Sequence, residues 1–487
     1  MDTRETIPPR PATPDPDPAE LEAALQALST YFRDALEPPA RAGVNFDAAT
    51  LRERLAEPLP TQGTGLASVL PELVERVSPG LAGTTGGRYL GYVTGGLLPA
   101  GAIAQAWAVA VDQNTGLWAV GPAATELEQL VLGWIADLLE LPHGSSTFTS
   151  GAAGANLVGL AVARHWVGRQ AGVDVNRVGV GALGRIGVYG STELHFTDVK
   201  ALRTLGLGDD CVRRVPVDDR FRLSVPDLIA AIERDRAEGV RPAIVIAHAA
   251  AANTGACDPL REIAAVCRSQ ELWLHVDGAF GAFLRLSPPH AALVDGMELA
   301  DSIAVDGHKW LNLPNGIAFA FLRDPHLHHE TFAGTAAYLT RTEGAGDDLH
   351  EYGVEASRPW RGAATWAVLK HLGRDGVAAL VARGCGLAAE LGRLVETEPK
   401  LELTAPVASC VTCFRYRPPT SAEGAELDEL NRRIQQLLAK RGLVFATGGM
   451  LPSGFSLRPA FVSWRTTAAD VALLAAEVVA LGDELSG

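Results

Sequence analysis

The sequence predicts an α/β protein built on a mostly parallel central sheet, with a helical N-terminal arm and a small α+β C-terminal domain. Three observations carry this prediction. Early apolar residues recur at helical spacing, short apolar runs alternate with helical stretches in the middle third, and strands and helices mix near the end. The predicted divisions are a disordered lead-in over 1–18, the arm over 19–88, a large domain over 89–370 and a small domain over 371–487.

The arm is predicted from two apolar series separated by proline-containing breaks, which are Leu21, Leu25, Leu28 and Phe32, then Leu66, Leu70, Leu73 and Val77. The Pro- and Asp-rich stretch 7–18 before it has no apolar core of the kind that a signal peptide needs. We therefore expect that stretch to be disordered.

The middle third predicts the sheet. Its apolar runs alternate with helical stretches, and they cover 186–189, 212–217, 243–247, 272–276, 303–305 and 317–322. Near the end, strands are expected around 409–416 and 455–461, with helices over 427–438 and 468–481. In parallel sheets ligands collect at the carboxyl ends of the strands, so polar residues directly after each run are candidate site residues.

Composition narrows the function class and the compartment. A net charge of −15 and a pI near 5.3 give no basic surface for nucleic acid or for an anionic membrane. The longest apolar run, 97–111, is broken by Gln105 and is too short to span a bilayer. Six sparse, irregularly spaced cysteines indicate a reducing compartment, so we expect a cytoplasmic protein that acts on a small molecule.

Lys309 is the most informative of the five lysines in the chain. It follows the apolar run 303–305 and so lies at a predicted strand end, whereas the other four occupy helical stretches or turns, at Lys200, Lys370, Lys400 and Lys440. Burial there would lower its affinity for protons, which is what a Schiff-base amine requires.

Asp277 gives a second signal at a strand end. It closes the run 272–276 and is followed by Gly278 and Ala279, whose small size lets a flat ligand approach closely. If that ligand is pyridoxal phosphate, Asp277 would pair with the pyridinium nitrogen and keep it protonated.

A small-residue loop, Gly151 to Gly154, leads into a helix predicted over 157–167. Free backbone N–H groups at a helix start favour a phosphate. Two other patterns are rejected: Gly179 to Gly184 follows no strand as a dinucleotide loop would, and the histidines at 326, 328 and 329 lack a further metal ligand at suitable spacing. No metal site is expected.

These residues together resemble the group II pyridoxal-phosphate decarboxylases, the family of aromatic-amino-acid and glutamate decarboxylases, in its bacterial branch. The most specific matches are HVDGAFG at 275–281 and DGHKWLN at 306–312, and weaker ones extend the resemblance over about 89–467. The resemblance implies fold type I of the pyridoxal-phosphate enzymes, a cofactor-binding large domain and a homodimer with pyridoxal 5'-phosphate at each site.

Residue roles follow from the resemblance. Lys309 would form the internal aldimine, Asp277 would bind the pyridine nitrogen, and His195 would stack on the ring. Gly151, Ala152 and Ala153 fall where the family grips the phosphate, and Ala279 and His308 would help to hold the cofactor. The remaining assignments are substrate contacts at Thr94 and Arg458, and a proton donor at Tyr352, with His350 as the alternative, in a loop over 344–357 expected to be a mobile lid.

The expected reaction is decarboxylation of an L-amino acid, with an aromatic substrate favoured, to the amine and carbon dioxide. The chain departs from the family at 249–252, where it has four alanines and relatives usually have a hydroxyl-bearing or amide residue, at Pro314-Asn315, and at Arg358-Pro359. Transamination, aldol cleavage, decarboxylation-linked oxidative deamination and a non-catalytic cofactor-binding subunit therefore remain alternatives.

Overall fold

The computed structural model describes residues 17–43, 46–142, 144–334, 344, 346–418 and 423–486. Most of the predicted lead-in, residues 1–16, lies outside these ranges. Within them, no helix combines the length and apolar character needed to cross a membrane.

A seven-stranded sheet forms the centre of the large domain, in the order β1-β7-β6-β5-β4-β2-β3. Its strands are β1 (Ser145–Thr149), β2 (Ile186–Ser191), β3 (Val212–Val215), β4 (Arg241–His248), β5 (Trp273–Asp277), β6 (Ser302–Asp306) and β7 (Ala318–Leu322). Only β7 runs antiparallel to its neighbours, which confirms the mostly parallel sheet. The carboxyl ends of β4, β5 and β6 therefore meet at one edge.

Fourteen α-helices are formed by the described residues. They are α1 (Pro18–Leu36), α2 (Ala48–Leu55), α3 (Leu66–Val77), α4 (Pro99–Val111), α5 (Pro122–Leu138), α6 (Ala152–Gln170), α7 (Val175–Val178), α8 (Phe196–Thr204), α9 (Val225–Ala237), α10 (Leu260–Gln270), α11 (Pro325–Phe332), α12 (Gly362–Thr397), α13 (Gly424–Arg441) and α14 (Ala468–Ser486). The arm is helical as predicted, and none of the residues in α1, α2 or α3 is buried within the single chain.

A second, four-stranded antiparallel sheet lies in the C-terminal part, in the order β10-β11-β9-β8. Its strands are β8 (Leu401–Leu403), β9 (Phe414–Tyr416), β10 (Thr447–Leu451) and β11 (Gly454–Arg458). The predicted strand over 409–416 is a continuous strand only at β9. The sequence missed β8, which is three residues long, and β10, whose two glycines weaken the strand signal.

Two boundaries differ from expectation. Helix α6 begins at Ala152, five residues before the predicted start, and the polar edge strand β1 was not predicted. Helix α12 crosses the predicted domain boundary at 370, and its helical geometry breaks at Gly373, where φ is 63°. The division at 370 stays a prediction.

A buried ion pair ties the start of α12 to the sheet. Glu128 of α5 accepts hydrogen bonds from Arg358 Nη2 at 2.9 Å and from the N–H groups of Arg361 and Gly362 at 3.0 and 3.2 Å. Arg358 Nη1 in turn donates to Thr147 in β1. Because both charged groups are buried, removing either one leaves the other without compensation.

Glu128→Ala should therefore lower the free energy of unfolding by about 3–5 kcal/mol, because the buried Arg358 loses its partner. Urea titration followed by circular dichroism measures this. Glu126→Ala, an exposed position on the same helix, is the control. A Glu128→Ala midpoint equal to that of the control would show that the pair does not stabilise the fold.

Candidate active site

A cavity of about 260 Å³ opens at the carboxyl ends of β4, β5 and β6. Most of the predicted site residues line it, namely Gly151, Ala152, Ala153, His195, Asp277, Ala279, His308 and Lys309. The residues predicted from their positions at strand ends therefore lie together around one cavity.

Lys309 lies just after β6 on the cavity wall. Its Nζ is 3.0 Å from Asp306 Oδ2 and 5.6 Å from the centre of the Phe280 ring. Asp306 Oδ1 accepts a hydrogen bond from the Ala152 N–H at 2.7 Å, so one carboxylate joins the lysine to the start of α6. A Cβ atom on Gly95 would lie 1.9 Å from the Lys309 carbonyl oxygen, so only glycine permits this close approach.

Asp277 ends β5 and is buried at the floor of the cavity. Its Oδ1 accepts from the Ala279 N–H at 3.0 Å, and its Oδ2 accepts from Asn156 Nδ2 at 3.1 Å. Burial by itself raises the pKa of this carboxyl, but the charges of His248 and Lys309 outweigh it and hold that pKa below the usual range. Asp277 is therefore an ionised acceptor.

A chain of hydrogen bonds connects Trp273, Ser302, His275 and Asn156 to Asp277, and the donor and acceptor at its Asn156 end can be assigned. Trp273 Nε1 donates to Ser302 Oγ at 2.9 Å, and that hydroxyl lies 2.8 Å from His275 Nδ1. His275 Nε2 lies 3.0 Å from Asn156 Oδ1. Because the Asn156 amide nitrogen donates to Asp277, its oxygen must accept, so His275 carries its proton on Nε2.

Glycine at 159 makes this contact possible. A Cβ atom there would lie 2.8 Å from the His275 ring, so α6 can approach β5 only without a side chain at that position. Asn156, three residues earlier on the same face of α6, then reaches Asp277 and also Asp198 Oδ1, at 2.8 Å.

His195 is the N-cap residue of α8, and its Nδ1 lies 2.6 Å from Thr197 Oγ1. Burial lowers the pKa of His195. A neutral, flat imidazole on the cavity wall suits the predicted role of packing on a ring.

The start of α6 is less open than expected. Gly151 has a φ of 142°, a conformation that favours glycine, and turns the chain into the helix. The Ala152 N–H is already bound to Asp306, so a phosphate would displace that carboxylate or use N–H groups further along the first turn. His308 lines the same cavity; within the described residues its Nδ1 makes no hydrogen bond and lies 3.4 Å from Asp306 Oδ1.

Three predicted residues do not line this cavity. Thr94 lies beside Gly95, in a loop that also holds Tyr92 and Val93 at positive φ of 58° and 63°. Such backbone strain clusters at functional sites. Arg458 ends β11 and is partly buried; its Nε has no hydrogen-bond partner, and it makes no ion pair within the described residues.

Tyr352 lies at the opposite edge of the sheet from Lys309. Its carbonyl oxygen accepts from His328 Nε2 at 2.9 Å, and His328 Nδ1 lies 2.7 Å from Ser145 Oγ, at the start of β1. His350 is held there too, where its N–H donates to the Gly116 carbonyl at 3.0 Å. The structure therefore does not bring either candidate proton donor to the cavity of its own chain, and the lid over 344–357 stays a prediction.

Sequence reasoning missed several polar residues around the cavity. They are Asn156, Asp198, His248, Asp258 and Asp306. The available signal was a polar residue closing an otherwise apolar run, as His248 closes the run 243–247. Within the described ranges, Asp198, His248 and Asp277 form the one group whose possible metal-ligand atoms all lie within 4.8 Å of one another.

Comparisons with known proteins agree with this geometry. The pyridoxal-dependent decarboxylase conserved domain matches residues 51–417. An aromatic-L-amino-acid decarboxylase from Bacillus atrophaeus is 28% identical over 446 residues, which cover 91% of this chain and 90% of that protein. A 4-hydroxyphenylacetaldehyde synthase from Rhodiola rosea is 27% identical over 451 residues, covering 90% of this chain and 89% of the relative.

Among solved structures, the Oryza sativa TDC with PLP and tryptamine is similar, with a TM-score of 0.88 and 26% identity. The match covers 98% of this chain and 100% of the rice chain. The fold is therefore that of the pyridoxal-phosphate decarboxylases, fold type I, as expected.

His275 should stay neutral down to about pH 4, because burial lowers its pKa to about 4. Between that value and the ordinary pKa of 6.5 the unfolded chain binds the extra proton and the folded chain does not, so acid destabilises the fold through this residue. Nitrogen-15 NMR of labelled histidine, with His275→Gln to assign the signal, measures the titration. A charged His275 ring at pH 6 would contradict the hydrogen-bond direction.

Proposed function

We propose, from the premise that this chain belongs to the pyridoxal-dependent decarboxylase family, that its substrate is an aromatic L-amino acid, which it converts to the amine and carbon dioxide. The protein is a pyridoxal-phosphate-dependent carboxy-lyase that acts on an amino acid. The observation that most supports this proposal is that Asp277 and Lys309, at the ends of the neighbouring strands β5 and β6, face a single cavity.

The residues present fit pyridoxal phosphate. The cavity joins a buried carboxylate, a lysine and a helix start, and alanines at 250, 252 and 279 leave room for a flat ring. When bound, the cofactor takes up the electron pair left by the departing carboxylate. Lys309 would hold it covalently, Asp277 would keep the proton on its ring nitrogen, and His195 would pack on its face.

Arg458 is the residue we assign to the substrate carboxylate. Arg458 is partly buried, and within the described residues its guanidinium has no carboxylate partner and its Nε no hydrogen bond. Its positive charge contributes to lowering the pKa of His195, a residue of the cavity wall, and this supports the assignment. A substrate carboxylate would supply the missing partner.

The aromatic preference rests on the relatives and on one local feature. The Bacillus protein is named for aromatic amino acids, and the rice structure holds tryptamine. In this chain the Tyr92 side chain, in the strained loop beside Lys309, is exposed and lies 6.2 Å from the Phe445 ring. Thr94, in the same loop, is our second assigned substrate contact.

We also propose that the enzyme is a cytoplasmic homodimer. Apolar side chains on α1, α3 and α4 are exposed in the single chain, including Leu25, Leu73, Ile103 and Trp107, and a second copy would cover them. All six cysteines are free, which suits a reducing compartment. Tyr352 would have to act on the cavity of the second copy, so its role as proton donor depends on this dimer.

A proton donor other than Tyr352 is available at the cavity within the same chain. Lys309 Nζ lies 3.0 Å from Asp306 Oδ2 and, when it is not bonded to the cofactor, would be placed to donate a proton to the substrate carbon. This assignment needs no second chain.

A panel of L-amino acids should identify the reaction. We expect amine and carbon dioxide from tyrosine, tryptophan, phenylalanine or dihydroxyphenylalanine, with glutamate and lysine as non-aromatic controls. Mass spectrometry separates amine from keto acid and aldehyde. An aldehyde product would instead favour the reaction for which the Rhodiola relative is named, and turnover of glutamate alone would contradict the aromatic assignment.

Lys309→Ala should abolish covalent attachment of the cofactor, because no other lysine faces the cavity within the described residues. Borohydride reduction followed by peptide mapping measures this. Lys200→Ala and Lys370→Ala are matched controls that should label normally. Label found on either of those lysines in the wild-type protein would displace Lys309 from the site.

Asp277→Asn should retain cofactor but slow turnover by about 10²–10³-fold, because a neutral partner no longer stabilises the charged ring nitrogen. Steady-state rates with the best substrate of the panel measure this. Asp301→Asn, at the other end of β6, is the control and should keep most of the rate. Turnover within a few-fold of wild type in Asp277→Asn would remove the assigned role.

A further inference from the structure

His248 is the direct neighbour of Asp277 in the sheet. It ends β4 as Asp277 ends β5, and the two residues are paired in the parallel register. Residues paired in this way point to the same face of the sheet. Both side chains are buried and both border the cavity.

Carboxylates surround the His248 ring. Nε2 lies 3.6 Å from Asp198 Oδ2, and Nδ1 lies 3.7 Å from Asp258 Oδ2. One side-chain nitrogen or oxygen atom from each of Asp198, His248 and Asp277 lies within 4.8 Å of the other two. Asp258 is fixed in place, because its carboxylate accepts from the backbone N–H groups of Leu223 and His248 at 2.7 and 2.8 Å.

The arrangement favours a charged imidazole. At 3.6 and 3.7 Å the two contacts are longer than hydrogen bonds and act as ion pairs, so a positive imidazolium is attracted to both flanking carboxylates, whereas a neutral ring compensates neither charge. Burial alone would lower the pKa of His248, but Asp198 and Asp258 raise it well above its ordinary value. The other titratable or charged groups that act on this cluster are Asp277, His275, His195, Lys309 and Arg214.

Asp198 connects the cluster back to the floor of the cavity. Burial and the charge of Asp277 raise the pKa of Asp198 to about 6, so these two carboxyls compete to stay ionised. Asn156 donates one hydrogen to each of them. A cation between them and Asp258 relieves that competition.

We propose that His248 is a positioning residue which, as an imidazolium held between Asp198 and Asp258, keeps the neighbouring Asp277 ionised for the ring nitrogen of the cofactor. The inference rests on the proposed function only in assigning Asp277 to that nitrogen. The proposed role explains why a histidine stands at position 248, between an apolar run and four alanines.

Cofactor affinity as a function of pH tests this role. Where the free cofactor already carries its ring-nitrogen proton, binding to a protonated Asp277 must release the proton of that carboxyl. The apparent affinity then falls about tenfold per pH unit below the pKa of Asp277 in the cofactor-free protein. Dividing the variant affinity by the wild-type affinity at each pH cancels ionisations that both proteins share.

The full-length cofactor-free protein would be titrated with pyridoxal phosphate between pH 5.5 and 7.5, with binding followed by tryptophan fluorescence. For His248→Gln, we expect the ratio to fall about tenfold or more towards pH 5.5, because Asp277 loses the adjacent cation. His248→Lys retains a cation and should stay within about threefold of wild type at every pH. A purely structural role predicts the reverse order, since glutamine is closer to histidine in shape.

The proposal would be overturned if the ratio of His248→Gln affinity to wild-type affinity did not change with pH. It would also be overturned if both variants folded and lost cofactor affinity equally. If His248→Lys does not fold, nitrogen-15 NMR of the wild-type protein decides: His248 should keep its second proton at pH 7.5, and a neutral ring at pH 7 overturns the proposal. Amine formation is measured separately. If the affinities behave as expected but no amino acid is decarboxylated, the proposed function fails and the inference about His248 stands. If amine is formed but the affinity ratio does not change with pH, the proposed function stands and the inference about His248 fails.

Discussion

The burial of several carboxylates at one edge of the central sheet is the constraint on which the site depends. Asp277, Asp198 and Asp258 are all removed from water, and each must be compensated by hydrogen bonds or by a cation. Strand ends, the start of α8 and one face of α6 supply that compensation together. The positions of Asn156, His248 and Lys309 are consequences of it.

Close packing makes this compensation geometrically possible. Gly159 brings α6 against the His275 ring, and Gly95 brings the strained loop against the Lys309 backbone. A side chain at either glycine would hold these elements apart and lengthen the hydrogen bonds that reach Asp277 and Lys309. The small residues of this sequence therefore have a role in catalysis although they carry no reactive group.

Much of the fold and the centre of the site could be predicted from sequence, because they depend on local signals. Six of the seven central strands lie at the runs predicted from sequence, and Asp277 ends one of these strands while Lys309 comes three residues after another. β1 was missed because its residues are mostly polar, and an edge position tolerates polar residues. Tyr352 was assigned from its place in a motif order, and only the three-dimensional path of the chain shows that it lies at the far edge of the sheet.

The residues that sequence reasoning missed share one property: their roles depend on contacts between elements distant in the chain. Asn156 and Asp277 are 121 positions apart, and no spacing rule relates them. His248 stands beside Asp277 only because β4 and β5 are neighbours in the strand order. Strand order is set by tertiary packing and cannot be read from either strand alone.

The acidic floor of the cavity also couples the stability of the folded chain to the binding of its cofactor. A newly made chain must bury these carboxylates before any pyridinium reaches them, so the empty form is the less stable one. Ligand at a hundred times its dissociation constant adds about 2.7 kcal/mol to the stability of a protein that binds it only when folded. A cofactor that binds only the folded chain therefore lowers the fraction of chains that are unfolded and open to proteolysis.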